Sequence, residues 1–133
     1  MALTYQPAVQ SVLMCDFKGM VEPEMVKIRP VVVISRNRHN RKLVTIDPIS
    51  STAPLSLKEC HYELPNNPMP GNAHVRSWAK CDMVTTVSIA RLDRVKVRNA
   101  QGRNYIVPQL SDDDFERIRQ AVLHGIGMGH LAR

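Results

Sequence analysis

The sequence predicts a mainly β fold that ends in a single α-helix, and three observations support this prediction. Short runs of β-branched or alternating apolar residues recur through residues 10–106. Turns rich in proline and glycine separate these runs. The chain then changes to a helical apolar period near its end. About five to seven short strands followed by one helix imply a small, strongly bent sheet or barrel that the helix caps.

Three strands are predicted in the first half of the chain. "QSVLMCDF" (10–17) alternates in polarity, and "IRPVVVIS" (28–35) holds an unbroken β-branched run typical of a strand buried on both faces. "LVTIDPIS" (43–50) is the third strand, and Pro48 lies near its end. A polar, basic turn, "RNRHNRK" (36–42), joins the second strand to the third.

The second half predicts further strands and one hairpin. "SLKECHYELP" (56–65) alternates along its length, and "HVRSWAKCDMVTTVS" (74–88) holds one or two strands around the only tryptophan. "DRVKVRN" and "RNYIVPQ" flank "AQG" (100–102) as a hairpin.

The terminal helix is predicted from its cap, its charges and its apolar period. Ser111 is a favourable N-cap, and Asp112–Asp114 suit the positive end of the helix dipole. Capping thus explains the one carboxylate cluster, so two-metal phosphodiester chemistry is not expected. Four apolar residues share one face and three glycines end the helix: Phe115, Ile118, Val122 and Ile126, then Gly125, Gly127 and Gly129.

Length and charge limit the classes of protein that fit. A chain of 133 residues predicts one domain over 1–133. The net charge of +6 favours an anionic partner such as a nucleic acid or an acidic peptide. Neither a signal peptide nor a membrane-spanning run is recognised, so a cytoplasmic protein is expected.

The cysteines predict neither disulfides nor a metal centre. Cys15, Cys60 and Cys81 are odd in number, far apart and within strand-like runs, as expected of reduced, semi-buried thiols. A zinc site needs closer grouping of ligands, and Cys60–His61 is the only adjacent pair. The prediction is therefore no metal and no cofactor.

Two candidate anion-binding features lie at predicted strand ends. Pro30 excludes its predecessor from the helical region, so Arg29 is held extended at the entrance of a strand. Such a cation either forms an internal salt bridge or binds an external anion. Ser50, Ser51 and Thr52 follow another strand, where hydroxyls and turn amides either wrap an anionic oxygen or form an ordinary polar turn.

Two further features offer acid–base chemistry. In a strand, Lys80 and Asp82 point to the same face, as a surface ion pair or as a coupled proton donor and acceptor. His61 lies within a predicted strand and is either structural or catalytic.

Four segments together resemble the PemK/MazF family of toxins from bacterial type II toxin–antitoxin systems. They are "LMCDF", "KIRPVVVIS", "IDPISST" and "WAKCDMVTTVSIARL", and the resemblance covers roughly residues 7–97. It implies an SH3-like β-barrel, a homodimer and metal-independent cleavage of single-stranded RNA. It also implies a cognate antitoxin whose flexible tail blocks the cleft, with operator DNA contacted only through the antitoxin complex.

The resemblance also assigns roles to individual residues. Arg29 matches the catalytic arginine of the family, Ser50 an active-site Ser or Thr, and Asp82 the aspartate beside the scissile phosphate. Lys80 stands where members often carry arginine, whose planar fork a lysine lacks, so the identity of the general acid stays open.

These assignments give a hypothetical mechanism. Asp82 is the base, Arg29 the phosphate clamp and possible proton donor, Ser50 the oxyanion support, and Lys80 a second cation. His61 is a reserve acid or base. The basic turn either guides RNA or is a solvated tip. Candidate RNA-binding residues are Lys27, Ser51, Thr52, Arg36, Arg38 and Arg41.

Two alternatives to a nuclease remain open at this point. The chain is either a non-catalytic SH3-like binding module, as in toxins that poison DNA gyrase, or a regulatory subunit whose only partner is another protein. In the first alternative the basic cleft would hold a peptide or a nucleic acid without cleaving it.

Overall fold

The computed structural model describes residues 2–133, and within this range the chain is mainly β with one C-terminal α-helix. None of the helices in that range has the length and apolar character needed to cross a membrane. Short 3₁₀ turns cover Ile89–Arg91 and Gly129–Leu131. The elements are β1 (Val12–Cys15), β2 (Arg29–Arg36), β3 (Leu43–Ser50), β4 (His61–Glu63), β5 (Trp78–Lys80), β6 (Thr85–Ser88), β7 (Leu92–Asp93), β8 (Val95–Asn99), β9 (Gly102–Ile106) and α1 (Asp112–Gly125).

The predicted fold class is confirmed, but the strands do not close into a barrel. Seven strands form an antiparallel sheet in the order β4–β5–β3–β2–β1–β7, with β6 also paired to β3, while β8 and β9 form a separate hairpin. Among the described residues, no ladder joins β4 to β7. These two end strands have only three and two residues, which leaves few backbone groups for a closing ladder.

Strand β3 is the centre of the sheet because both of its edges are paired. One edge pairs with β2, from Arg36↔Val44 to Val31↔Pro48. The other edge pairs first with β6 and then with β5, where Ser50 lies opposite Trp78. The change of partner occurs around Pro48, which has no N–H to donate to a ladder. The ends of β2, β3 and β5 therefore lie at one corner of the sheet.

Apolar clusters cover both faces of the sheet. Val31 and Val33 of β2 join a cluster with Phe17, whereas Val32 between them joins a cluster with Phe115 of the helix. This alternation is the pleat of a strand buried on both faces, as predicted for the valine run.

The predicted helix is confirmed from its N-cap to Gly125. Ser111 Oγ accepts a hydrogen bond from the Asp114 amide, and Phe115 and Ile118 are buried. Ile126, predicted on the same apolar face, lies past the helix end and is half exposed.

The strand predicted over 56–65 is much shorter in the structure. Only His61–Glu63 pair with β5, because residues 55–60 form bends and turns that leave Leu55 and Leu57 exposed. The run 74–88 divides into β5 and β6, which is the two-strand outcome of the prediction.

A buried carboxyl contacts the apolar cluster that contains Phe115. Asp47 of β3 is 0% exposed, and its Oδ2 accepts a hydrogen bond of 3.2 Å from Cys81 Sγ. Its Oδ1 has no hydrogen-bond partner among residues 2–133. Burial raises the pKa of Asp47 to about 7, and the charge of Asp82 adds to this rise while the Cys81 bond opposes it. The folded state therefore favours the protonated form of Asp47.

Asp47→Asn is expected to remove a pH dependence of stability. Below the ordinary pKa of 3.8, Asp47 is protonated in both the folded and the unfolded chain. As pH rises toward about 7 the unfolded chain ionises first, so the stability contributed by the protonated side chain is lost across this window. We expect the wild type to lose up to roughly 1.4 kcal/mol of unfolding free energy per pH unit relative to the variant. Urea unfolding at about pH 5 and about pH 8 measures this, with Asp113→Asn as an exposed control. Parallel pH profiles for wild type and Asp47→Asn would contradict the assignment.

Gly125→Ala is expected to destabilise the chain, although alanine normally favours a helix by about 1 kcal/mol over glycine. A methyl group at Gly125 would overlap the backbone carbonyl of Cys81, which belongs to the turn after β5. We expect a loss on the order of 1–3 kcal/mol, typical of overpacking, in a denaturant titration. Arg117→Ala, at an exposed position of the same helix, is the control. It should change the unfolding free energy by only about 0.3–0.5 kcal/mol. An unchanged midpoint for Gly125→Ala would refute close packing of the helix on this turn.

Candidate active site

Arg29 begins β2 at the corner of the sheet and has no anionic partner within the described chain. Its Nε is buried without a hydrogen-bond partner, and no described carboxylate forms an ion pair with its guanidinium. The sequence left open an internal salt bridge or an external anion. Since no salt bridge forms among residues 2–133, the guanidinium is available to a ligand.

Ser50 ends β3 beside Arg29. The register Val31↔Pro48 and Val32↔Asp47, continued by two residues, brings Arg29 opposite Ser50. Opposed residues of an antiparallel pair share a face, and both lie on the face of the cluster that contains Val31. Ser50 Oγ accepts a hydrogen bond of 3.1 Å from the Thr52 amide, which fixes the turn and leaves the hydroxyl proton free to donate. Ser51 and Thr52 are exposed in this turn.

Lys80 and His61 lie on the same face of the sheet as Arg29 and Ser50. Ser50 lies opposite Trp78 of β5, Lys80 is two residues further along β5, and His61 of β4 lies directly opposite Lys80. The four residues from Arg29 to His61 lie on four neighbouring strands. At the usual strand spacing, the first and the last of these strands are roughly 14 Å apart. The structure thus places four of the five predicted catalytic residues along one corner of one sheet face.

Asp82, the fifth, follows β5 in a turn and is exposed. Its carboxylate oxygen lies within 4.8 Å of a His61 nitrogen and of Cys60 Sγ. Asp82 forms no ion pair with Lys80, so the surface salt bridge considered from the sequence is not present. The structure therefore places His61 and Cys60 near Asp82.

Two shallow depressions flank the 22–25 loop and carry Arg29 and Asp82 on their walls. One, of about 540 Å³, is lined by residues 22–27, including Lys27, together with Arg29. The other, of about 500 Å³, is lined by Asp82 and the residues after it. Both include Pro23, Glu24 and Met25, so this loop separates the predicted clamp from the predicted base.

The helix holds β4, and therefore His61, in position. Tyr62 donates a hydrogen bond of 2.7 Å from its hydroxyl to Asp114 Oδ1. Burial, followed by this bond and the charge of Asp114, raises the pKa of Tyr62 to about 12. His61 Nδ1 accepts a hydrogen bond from the Lys58 amide, which fixes the orientation of the ring.

The predicted RNA-binding arginines of the basic turn lie away from this corner. Arg36, Arg38 and Arg41 line a larger cavity of about 1160 Å³ with the N-terminal segment, at the opposite end of β2 from Arg29. Seven residue steps of strand separate the two ends by roughly 24 Å. The structure does not bring these arginines together with Arg29 inside one chain.

Two residues at the corner were missed from the sequence. Asp47 resembles any polar residue of a strand until its burial beside Cys81 is known. Cys60 is free and partly buried, as predicted, but its position beside both His61 and Asp82 was not foreseen. Burial and the charge of Asp82 raise the pKa of the Cys60 thiol. The adjacency of Cys60 and His61 was the one signal in the sequence.

Known proteins share the sequence profile and the fold of this chain. The sequence profile of the PemK-like, MazF-like toxins of type II toxin–antitoxin systems matches residues 9–125. A protein of Escherichia coli (strain K12), the uncharacterized protein YifN, is 28% identical over 148 aligned positions, covering 95% of both chains.

Solved structures share the fold. MazF from Deinococcus radiodurans superposes with a TM-score of 0.67 at 16% identity, over 93% of this chain and 99% of that one. The Mycobacterium tuberculosis toxin MazF-mt6 gives 0.60 at 16% identity, over 89% and 97%. A mycobacterial endoribonuclease in complex with its cognate antitoxin gives 0.61 at 16% identity, over 92% and 96%.

The profile spans most of the chain, and the sheet with its terminal helix matches the architecture of the MazF structures. This chain therefore belongs to the PemK-like, MazF-like toxin family of type II toxin–antitoxin systems.

Proposed function

We propose that this chain is a metal-independent endoribonuclease that cleaves single-stranded RNA by attack of a ribose 2′-hydroxyl on the adjacent phosphate. The observation that carries the proposal is Arg29, a guanidinium at the corner of the sheet that forms no ion pair with any residue of the described range 2–133. Ser50, Lys80 and His61 share its face, and Asp82 lies beside His61. Membership of a toxin family with endoribonuclease neighbours supports this class of reaction.

Each residue has one role in the proposed reaction. Asp82 accepts the proton of the 2′-hydroxyl as general base, and His61 donates a ring proton to the leaving 5′-oxygen as general acid. Arg29 binds the phosphate with its planar fork of donors, and Lys80 adds a second positive charge as the phosphorane forms. Ser50 donates its hydroxyl proton to a phosphate oxygen. A departing oxygen and an attacking oxygen are thus each served by a proton-transfer group.

The substrate and the partners follow from the same proposal. RNA is selected because the nucleophile is its 2′-hydroxyl, and a single strand can bend to bring that group in line. Lys27, Ser51 and Thr52 lie close enough along the chain to Arg29 and Ser50 to contact the same strand. A homodimer would bring the arginines of the basic turn into reach from a second copy. A cognate antitoxin would block the cleft in the cytoplasm, and operator DNA would be bound only through that complex.

Arg29→Ala is expected to lower the rate of RNA cleavage by about 10²–10³-fold, because one preorganised donor to the transition-state oxygens is lost. The measurement is cleavage of a labelled single-stranded transcript in EDTA. Arg98→Ala, an exposed arginine of the separate β8–β9 hairpin, is the matched control and should cut at the parental rate. A folded Arg29→Ala variant that cuts as fast as the parent would refute the role of the guanidinium.

The products are expected to carry a 2′,3′-cyclic phosphate on one new end and a 5′-hydroxyl on the other. The same sequence as single-stranded DNA should remain intact, because it lacks the attacking hydroxyl. End-group analysis by mass spectrometry decides between this route and attack by water. A linear 5′-phosphate end would contradict it, and binding without any cleavage would favour a non-catalytic module.

A further inference from the structure

A sulfur, a nitrogen and an oxygen atom that could bind a metal ion lie close together at the corner of the sheet. One ligand atom from each of Cys60, His61 and Asp82 lies within 4.8 Å of the other two. From this geometry we infer that the three residues form a binding site for a borderline-soft divalent cation of the zinc class. Because Asp82 and His61 are the acid–base groups of the proposed function, on which this inference partly rests, the bound cation would inhibit RNA cleavage.

The donor set selects the class of metal. Thiolate, imidazole and carboxylate together are typical ligands of Zn²⁺, whereas Mg²⁺ and Ca²⁺ prefer oxygen ligands alone. Zinc bonds of about 2.0–2.3 Å in a tetrahedron place ligand atoms roughly 3.3–3.8 Å apart. Each pair at the site must therefore close by at most about 1.5 Å, which side-chain rotation can supply. A water molecule or a phosphate oxygen would fill the fourth position.

The backbone holds the three ligands in register before any metal arrives. His61 begins β4 and Cys60 directly precedes it, while Asp82 follows β5, the strand that pairs with β4. The Cys81 amide donates a 2.9 Å hydrogen bond to the Cys60 carbonyl, which joins the two ligand segments directly. The turn carrying Asp82 is closed by a 3.0 Å bond from the Met83 amide to the Lys80 carbonyl.

The thiol at the site is the accessible one of the three cysteines. Cys15 and Cys81 are buried, whereas Cys60 is only partly buried. His61 Nδ1 accepts a hydrogen bond from the Lys58 amide. Loading a metal on either ring nitrogen exchanges this bond or moves the ring proton, and water can satisfy the exposed Lys58 amide.

The test is a Co²⁺ titration of the reduced, full-length chain, followed by Zn²⁺ displacement. Cobalt bound through a thiolate gives a sulfur-to-metal charge-transfer band, which we expect in the wild type and in His74→Ala, a control histidine in a turn. Cys60→Ser should lose the band and bind Co²⁺ at least about 10–100-fold more weakly, since even a supporting partner of a metal ligand costs that much. Absence of the band in the wild type, or an equal band in Cys60→Ser, would overturn the site.

The regulatory part has its own readout. After EDTA treatment, added Zn²⁺ should slow RNA cleavage by the wild type and leave Cys60→Ser unaffected, because Cys60 has no part in the proposed cleavage. Equal inhibition of both proteins would place the inhibitory metal elsewhere and overturn the inference. If the wild type cuts no RNA at all, the proposed function fails, and the cobalt titration still decides the metal site.

Discussion

The double pairing of β3 is the constraint on which the remaining structure depends. Its one edge is occupied by β2 over most of its length, while its other edge passes from β6 to β5 around Pro48. A proline has no N–H for either ladder, so the change of partner falls where a hydrogen bond would be missing in any case. The consequence is geometric. The first residue of β2, the last of β3 and the first of β5 come together, although they are separated widely in the chain.

This corner holds charges that form no ion pair within the described part of the chain. Arg29 has no ion-pair partner in residues 2–133, and neither Lys80 nor Asp82 is paired with the other. A charged group left at the rim of a low-dielectric sheet interacts strongly with a bound ligand of opposite charge. Under the proposed function the ligand is the phosphate of RNA, with its 2′-hydroxyl beside Asp82. The same unpaired state leaves Asp82 available to a metal ion, together with Cys60 and His61.

The opposite face of the sheet carries a buried carboxyl close to this corner. Asp47 accepts a hydrogen bond from Cys81, which belongs to the apolar cluster that contains Phe115 of the helix and directly precedes Asp82. A buried carboxyl with one unpartnered oxygen is destabilising when ionised. Its raised pKa, to about 7, keeps it neutral through the mildly acidic range. The helix supports the corner through two contacts. Gly125 packs on the Cys81 carbonyl, and Asp114 accepts a hydrogen bond from Tyr62.

Local sequence by itself determined the elements whose signals are short-range. The valine run predicts a strand buried on both faces, and the Ser111 cap with the apolar period predicts the helix. Lys80 and Asp82 are predicted in one strand, but only Lys80 lies in β5 and Asp82 lies in the turn after it. The family motifs further indicated the class of fold.

Only the tertiary structure decided which of these residues meet. It decided that the sheet stays open, that Asp47 is buried and that Cys60 and His61 face Asp82. It also decided that the arginines of the basic turn lie at the far end of β2. The physical reason is that register and burial depend on pairing between distant segments, and no local propensity specifies that pairing.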